Sequence, residues 1–216
     1  EVARRFNRSG ILGAVLTHRL PAEGWRDRAE VPLQDAQRAI RLIRARAHEF
    51  GIDPERIGVL GFSAGGHVAA SLMTRFDAQV YAPLDAADRL SARPDFAGLI
   101  YPVISMLSPI AHTASREELL GASPSAAAMA AASCERLVTA KTAPAFILAA
   151  SDDDQVDPRN SLALYDALRS ARVATELHMF QEGGHGFALR RIEGRPIAVW
   201  PDLFFNWGKS RRAFAR

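Results

Sequence analysis

Segments with helix and strand patterns alternate along almost the whole chain of 216 residues. Apolar runs of strand length occupy five stretches, namely residues 11–20, 56–62, 96–105, 143–151 and 174–181. Helical patterns occupy most of the chain between and around them, at residues 1–10, 32–50, 65–76, 161–171 and 198–214. Strands that are joined through helices run parallel, with the helices covering both faces of the sheet. The alternation therefore predicts the α/β class with a mostly parallel central sheet.

Two segments interrupt this alternation, namely residues 77–95 and an irregular stretch at residues 105–143 that contains an alanine-rich segment. For the irregular stretch there are two interpretations. We expect an excursion with one or two short helices above the carboxyl edge of the sheet; a low-complexity linker is the alternative.

The sequence shows no internal repeat and no second domain. The length and a hydrophobic content of 48% fit a single domain over residues 1–216 with a substantial core.

Charge and the length of the apolar runs argue against two classes of binding partner, nucleic acids and membranes. The formal charge of +3 arises from basic and acidic residues that are mixed along the chain. A short basic cluster at Arg211, Arg212 and Arg216 is interpreted as a solvated helix end, so we predict no nucleic-acid partner. No apolar run reaches the ~18 residues that cross a bilayer, so we predict no membrane partner. The single cysteine, Cys134, excludes an internal disulfide and is expected in the core or in a loop. Localisation and oligomeric state stay open.

The sequence VLGFSAGGH, residues 59–67, carries the strongest chemical signal. Gly61, Ser63 and Gly65 form a G-x-S-x-G pattern between a predicted strand and a predicted helix, the setting of a nucleophile elbow. We expect glycine two residues before and after the serine because side chains there would collide in the tight turn. The alternative is a glycine-rich packing turn with no catalytic role.

A serine hydroxyl needs a base, and the base needs an orienting acid. Asp152, Asp153 and Asp154 follow the fourth predicted strand, and His185 follows the fifth within the glycine-flanked sequence EGGHGF. Carboxyl ends of parallel strands meet at one edge of a sheet, so these groups are expected near Ser63. Taken alone, the aspartates also fit a solvated turn or helix cap, and the histidine also fits a loop tip.

The other five histidines carry weaker signals. His67 lies one helical turn after Ser63 and is expected to pack beneath the elbow. His178 falls inside a predicted strand, and the remaining three, His18, His48 and His112, have no second ligand at metal spacing. We therefore predict no metal and no cofactor.

The chain resembles the α/β-hydrolase superfamily, and within it the bacterial esterases of the acetyl-xylan-esterase and dienelactone-hydrolase-like group. The resemblance is carried by GIDPERIGVLGFSAGGHVAA, PLQDAQRAIRLIRARA, YPVISM, SREELLG, DDDQVDPRNS and GGHGFAL, which are spread over nearly the whole chain. It implies an α/β-hydrolase fold over residues 1–216.

The resemblance also implies roles for individual residues. Ser63 matches the nucleophile, and His185 matches the catalytic histidine. In such families the acid lies three residues before a valine; Val156 therefore selects Asp153, with Asp152 as the reserve choice. The proline that usually follows this valine is replaced here by aspartate. The backbone amide of Ala64 is implied as one donor of the oxyanion hole.

Members of this group usually carry a glycine-rich loop before the helix that residues 1–10 resemble, and that loop supplies the second oxyanion donor. The strand that leads into the loop normally lies between the strands that residues 11–20 and 56–62 resemble. The sequence contains neither, so the expectation is an N-terminally truncated domain that lacks its first strands.

The implied activity is that of a serine carboxylesterase acting on short-chain, acetyl-type esters, with a carbohydrate ester as a plausible substrate. Tyr101 and Trp25 could stack on a sugar, although core or edge packing is the commoner role of such side chains. The alternatives are a serine peptidase of the prolyl-oligopeptidase type and a non-catalytic hydrolase relative that serves in binding.

Overall fold

The computed structural model describes residues 1–214. It contains four strands, β1 Val59–Phe62, β2 Ala97–Ile100, β3 Ala145–Ala150 and β4 Thr175–Phe180. Its helices are α1 Val2–Asn7, α2 Val31–Ala45, α3 Ala47–Phe50, α4 Ala64–Thr74, α5 Thr113–Leu120, α6 Ala126–Ala131, α7 Arg159–Ser170 and α8 Trp200–Ser210. Short 3₁₀ turns at Pro21–Glu23, Ala86–Arg89, Cys134–Leu137 and Pro196–Val199 complete the regular structure.

The four strands form one parallel sheet in the order β1-β2-β3-β4. Phe62 pairs with Ile100 at the carboxyl end of the first pair, and Ala150 pairs with Phe180 at the carboxyl end of the last. All four strands therefore end at the same edge of the sheet, and the predicted α/β class with a parallel sheet is confirmed.

Helices cover both faces of the sheet. On one face, α8 and α1 contribute to an aromatic core in which Phe146, Trp200 and Phe204 are almost completely buried. On the other face, α4 and α7 bury Met73 and Leu164 against β2 and β3. All six residues of β3 are buried because that strand has neighbours on both sides and helices above and below. The central position of β3 explains its continuous apolar sequence.

The helix predicted over residues 32–50 forms as α2 and α3. Ala36 and Ile40, four positions apart, are buried on one face of α2. Gly51 ends the segment with a φ of 64°, in the left-handed conformation that glycine adopts without strain. The prediction of a helix in this segment is therefore confirmed, with a break at Arg46 between α2 and α3.

The strand predicted over residues 11–20 is wrong. This segment contains no strand, and Val15 is 82% exposed. A strand needs a neighbour that accepts and donates its backbone hydrogen bonds, and none of the four strands within residues 1–214 pairs with this segment. Arg19 instead donates its backbone N–H to the Asp35 carboxylate at 2.8 Å.

The strand predicted over residues 96–105 is shorter than expected, because β2 ends at Ile100. Tyr101 follows with a φ of 40°, and the chain then crosses the carboxyl edge of the sheet. The backbone N–H of Val103 donates to the Ser63 carbonyl at 3.1 Å. Two short helices, α5 and α6, lie within the irregular stretch at residues 105–143.

None of the helices within residues 1–214 combines the length and the apolar character that a bilayer crossing requires. Arg211 and Arg212, from the basic cluster, follow the end of α8, whereas Arg216 lies outside the described residues.

Candidate active site

Ser63 occupies the turn between β1 and α4, with φ 53° and ψ −122°. A non-glycine residue with positive φ is strained unless the surrounding structure holds it there. The Ser63 carbonyl accepts from the backbone N–H groups of Gly66 at 2.9 Å and Val103 at 3.1 Å, and the Ser63 N–H donates to Ile100. These bonds fix the turn and leave the hydroxyl beyond the carboxyl end of the sheet.

Of the two positions at which glycine is expected, two residues before and two residues after Ser63, only the first requires it. A Cβ on Gly61 would lie 2.3 Å from the Gly65 carbonyl oxygen, so a side chain cannot be accommodated there. A Cβ on Gly65 would meet nothing within 4 Å outside its own helix, and the expectation of a collision at this position is wrong. Gly66 takes that role instead, because a Cβ there would lie 2.7 Å from the Pro102 side chain.

The structure brings Ser63, Asp153 and His185 together. His185 Nε2 lies 2.8 Å from Ser63 Oγ, and His185 Nδ1 lies 2.7 Å from Asp153 Oδ2. The side chains of His185 and Asp153 are 9% and 1% exposed, so water is largely excluded from their contact. A carboxylate on one ring nitrogen and a hydroxyl on the other is the arrangement in which imidazole can remove the hydroxyl proton.

The Asp153 carboxylate is held on both oxygens. Its Oδ1 accepts from the backbone N–H groups of Val156 at 2.9 Å and Gln155 at 3.0 Å. Burial by itself would raise the pKa of this carboxyl, but the hydrogen bonds from His185, Val156 and Gln155 outweigh burial and hold the pKa below its ordinary value. Asp153 is therefore ionised at neutral pH.

The neighbouring aspartates lie elsewhere. Asp152 Oδ1 accepts from the backbone N–H groups of Gly183 at 2.9 Å and Gly184 at 2.8 Å, whereas the ring nitrogens of His185 bond to Asp153 and Ser63. Asp154 is exposed. The reserve residue Asp152 thus binds the loop that carries His185, whereas Asp153 binds the histidine itself.

Ala64 is the first residue of α4, which runs for 11 residues away from the serine. The first N–H groups of a helix have no partner within the helix, and the helix dipole places partial positive charge there. Ala64 and Gly65 are both exposed. A negatively charged oxygen beside Ser63 would meet this end of α4.

A cavity of about 550 Å³ adjoins this helix end. Ala64 and Gly65 line one wall, Leu33 and Val68 form part of an apolar wall, and Met106 belongs to the irregular stretch. This cavity is therefore bordered by α2, α4 and residues 105–143, and Ser63 and His185 are not among the residues that line it.

His67 lies beneath the elbow, as its position predicts. It is buried, and its Nε2 lies 2.8 Å from the Ala132 carbonyl oxygen. Cys134 is buried nearby, with its Sγ 3.4 Å from Ser71 Oγ. No group of three or more histidine, cysteine, aspartate or glutamate side chains that could hold a metal is found in the part of the chain that the structure describes.

Sequence reasoning missed the contact between Tyr101 and His185. The Tyr101 ring is buried edge-to-face against the imidazole, with ring centroids 4.8 Å apart, and its hydroxyl accepts from the Ala188 backbone N–H at 3.1 Å. Trp25, by contrast, is 40% exposed and lies beneath the Arg19 guanidinium. The order of the strands would have predicted this contact. Because β2 lies between β1 and β3, the residue that follows β2 lies between Ser63 and Asp153.

The parallel sheet, the helices on both faces and the serine at the strand-to-helix turn define a protein of the α/β-hydrolase type, as the comparison with solved structures shows. The BD-FAE family model matches residues 3–168. The chain belongs to the BD-FAE family.

Three known proteins illustrate the similarity. An acetylxylan esterase from Xylanibacter ruminicola is 30% identical over 209 residues, which cover 95% of this chain and 40% of that protein. The crystal structure of an acetyl ester-xyloside bifunctional hydrolase from Caldicellulosiruptor lactoaceticus is 41% identical, with a TM-score of 0.81, and covers 86% of this chain and 67% of that one. The carboxylesterase Cest-2923 from Lactobacillus plantarum WCFS1 is 28% identical, with a TM-score of 0.80, and covers 100% of this chain and 80% of that one.

This chain spans 40% of the length of that acetylxylan esterase and 25% of the length of an endo-1,4-beta-xylanase B from Butyrivibrio fibrisolvens, to which it is 36% identical over 162 residues.

Proposed function

We propose that this chain carries the active site of a serine carboxylesterase that hydrolyses short-chain, acetyl-type esters on carbohydrates. The observation that carries the proposal is the continuous line of hydrogen bonds from Ser63 Oγ through both nitrogens of His185 to Asp153. An exposed helix end next to this line offers a place for the negative charge that develops during ester hydrolysis.

In the proposed reaction, Ser63 Oγ bonds to the ester carbonyl carbon while its proton passes to His185 Nε2. The carbon–oxygen bond to the alcohol then breaks, and the alcohol leaves with the proton from His185. Water repeats the sequence on the acyl-serine, releasing the acid and restoring the serine. Asp153 keeps the imidazole oriented and stabilises its positive form throughout.

The charge on the carbonyl oxygen needs hydrogen-bond donors. The backbone N–H of Ala64 is the proposed first donor because it begins α4 directly after the nucleophile. The partial positive charge of the helix end adds to its effect. Removal of one such donor typically costs about 3 kcal/mol in the barrier.

The substrate class rests on the relatives. An acetylxylan esterase and an acetyl ester-xyloside bifunctional hydrolase both match most of this chain. Acetyl groups on a xylose-containing carbohydrate are accordingly the proposed substrates. The cavity of about 550 Å³ beside Ala64 is larger than an acetyl group and leaves room for part of the alcohol.

Hydrolysis of p-nitrophenyl acetate, acetylated xylooligosaccharides and a proline-containing peptide anilide tests this proposal. We expect turnover of both esters and none of the anilide. Preferential cleavage of the anilide would instead support a serine peptidase. Failure to hydrolyse any of the three, with no labelling by a fluorophosphonate, would support a binding protein without catalysis.

A further inference from the structure

The histidine loop, residues 181–190, contains no helix or strand. Gly184, Gly186 and Ala188 within it have positive φ values of 63°, 74° and 39°. Glycine-rich backbone of this kind has many accessible conformations. His185 nevertheless has to hold its ring between a hydroxyl and a carboxylate, so the loop needs contacts that select one conformation.

We propose that Asp152 and Tyr101 are positioning residues that hold the histidine loop from its two ends and so keep the His185 ring aligned with Ser63. This inference rests on the proposed esterase function, in which His185 is the base.

Asp152 holds the first end. One carboxylate oxygen accepts both consecutive backbone N–H groups, from Gly183 and Gly184, at 2.9 Å and 2.8 Å. Gly183 is also closely packed, because a Cβ there would lie 2.5 Å from the Ile197 side chain. The residue immediately before His185 is therefore fixed to the residue immediately before the acid Asp153.

Tyr101 holds the second end. Its hydroxyl accepts from the Ala188 N–H at 3.1 Å, and the Trp200 indole donates to the Ala188 carbonyl at 2.6 Å. The Tyr101 ring also packs against the rings of His185 and Phe187, with centroids 4.8 Å and 4.5 Å away. Burial raises the pKa of Tyr101 to about 12, so its hydroxyl stays neutral at working pH.

The two anchors follow the two central strands of the sheet. Tyr101 follows β2, and Asp152 follows β3, so both are attached to the rigid carboxyl edge. Neither is a hydrogen-bond partner of Ser63 Oγ or of the His185 ring nitrogens, which bond to each other and to Asp153. Their effect on rate would therefore act through the position of His185.

The experiment compares four variants of the full chain with the wild type in p-nitrophenyl acetate hydrolysis. Asp152→Ala removes the acceptor, Asp152→Asn keeps a carbonyl oxygen, and Tyr101→Phe removes one hydroxyl from a ring that stays in place. Asp154→Ala is the matched control, because Asp154 is an aspartate two positions further along the chain and is exposed, as Asp152 is.

We expect kcat to fall about tenfold in Asp152→Ala with KM within about twofold, because hydrogen bonds to a charged group are worth roughly this much and a displaced base costs rate rather than binding. Asp152→Asn should recover most of the loss, and Asp154→Ala should match the wild type. Tyr101→Phe should lower kcat by about threefold, in line with one weaker hydrogen bond. The rate of fluorophosphonate labelling of Ser63, which needs the same base, should fall in parallel with kcat.

Equal kcat values for Asp152→Ala and Asp154→Ala would overturn the role of Asp152. If Asp152→Ala does not fold, as judged by thermal unfolding, Tyr101→Phe decides: a wild-type kcat in that variant would overturn the two-ended arrangement. Failure of the esterase proposal is recognised separately, because the wild type would then match Ser63→Ala in hydrolysis.

Discussion

His185 Nε2 lies 2.8 Å from Ser63 Oγ, although 122 positions separate the two residues in the chain. The contact arises because β1 and β4 run parallel in one sheet and both end at the same edge. Ser63 lies in the turn after β1. His185 lies in the loop after β4, which reaches over the ends of β2 and β3 to bring the imidazole to the serine. The proposed chemistry depends on this convergence.

Replacement of Ser63 by alanine tests the nucleophile. We expect kcat for p-nitrophenyl acetate to fall by roughly a millionfold, since loss of the serine in a triad costs about as much as loss of all three residues. The side chain is small, so the fold should be retained by circular dichroism. Substantial residual turnover in Ser63→Ala would mean that another group performs the attack.

Asp153→Asn tests the orienting acid. The amide preserves the shape of the side chain but favours the wrong tautomer of His185, so we expect kcat to fall by about 10⁴. Steady-state kinetics on p-nitrophenyl acetate measure the change, with Asp154→Asn as the control that changes the same chemistry at an exposed position. Similar losses in both variants would show that the effect is a general one of charge and not of contact with the histidine.

The hydrogen bonds to Asp153 predict a pH dependence of stability. Its pKa in the folded protein lies below the ordinary value. The ionised carboxylate therefore contributes stability above the unfolded pKa of about 3.9, and that contribution is lost as the pH falls through the lower folded pKa. The difference in free energy of unfolding between wild type and Asp153→Asn, from urea titrations, should shrink between pH 6 and pH 3. A difference that stays constant over this range would contradict the assignment of the lowered pKa.

Much of this site could be predicted from the order of elements in the sequence. Ser63, Asp153 and His185 each follow a strand of one parallel sheet, and strand ends meet in space even when they are distant in the chain. The elbow, the helical segment of α2 and α3 before Gly51 and the buried strand β3 are local patterns that depend directly on packing.

Other features depend on which distant residues become neighbours in the folded protein, and the sequence alone does not show this. Residues 11–20 have the composition of a strand, but a strand also needs a hydrogen-bonded partner, and within residues 1–214 no strand pairs with them. The pattern G-x-S-x-G points to Gly65, whereas the crowded position is Gly66, which faces Pro102 after β2. The contact of Tyr101 with His185 likewise depends on strand order rather than on local sequence.

The glycines of the elbow offer a matched pair of variants. Gly66→Ala places a Cβ 2.7 Å from the Pro102 side chain, and we expect a loss of about 1–3 kcal/mol in the free energy of unfolding from overpacking. Gly65→Ala meets nothing within 4 Å outside its helix and should be neutral, or more stable by up to about 1 kcal/mol through helix propensity. Urea titrations measure both. Equal stability of the two variants would contradict the packing described at Pro102.

The most direct test of the central claim is covalent labelling of the intact chain with a fluorophosphonate, followed by peptide mass spectrometry. The serine oxygen displaces fluoride only if its proton can pass to the imidazole. We predict one adduct on Ser63 in the wild type and loss of the adduct in His185→Ala. An adduct that forms equally well without His185, or on a different residue, would contradict the account.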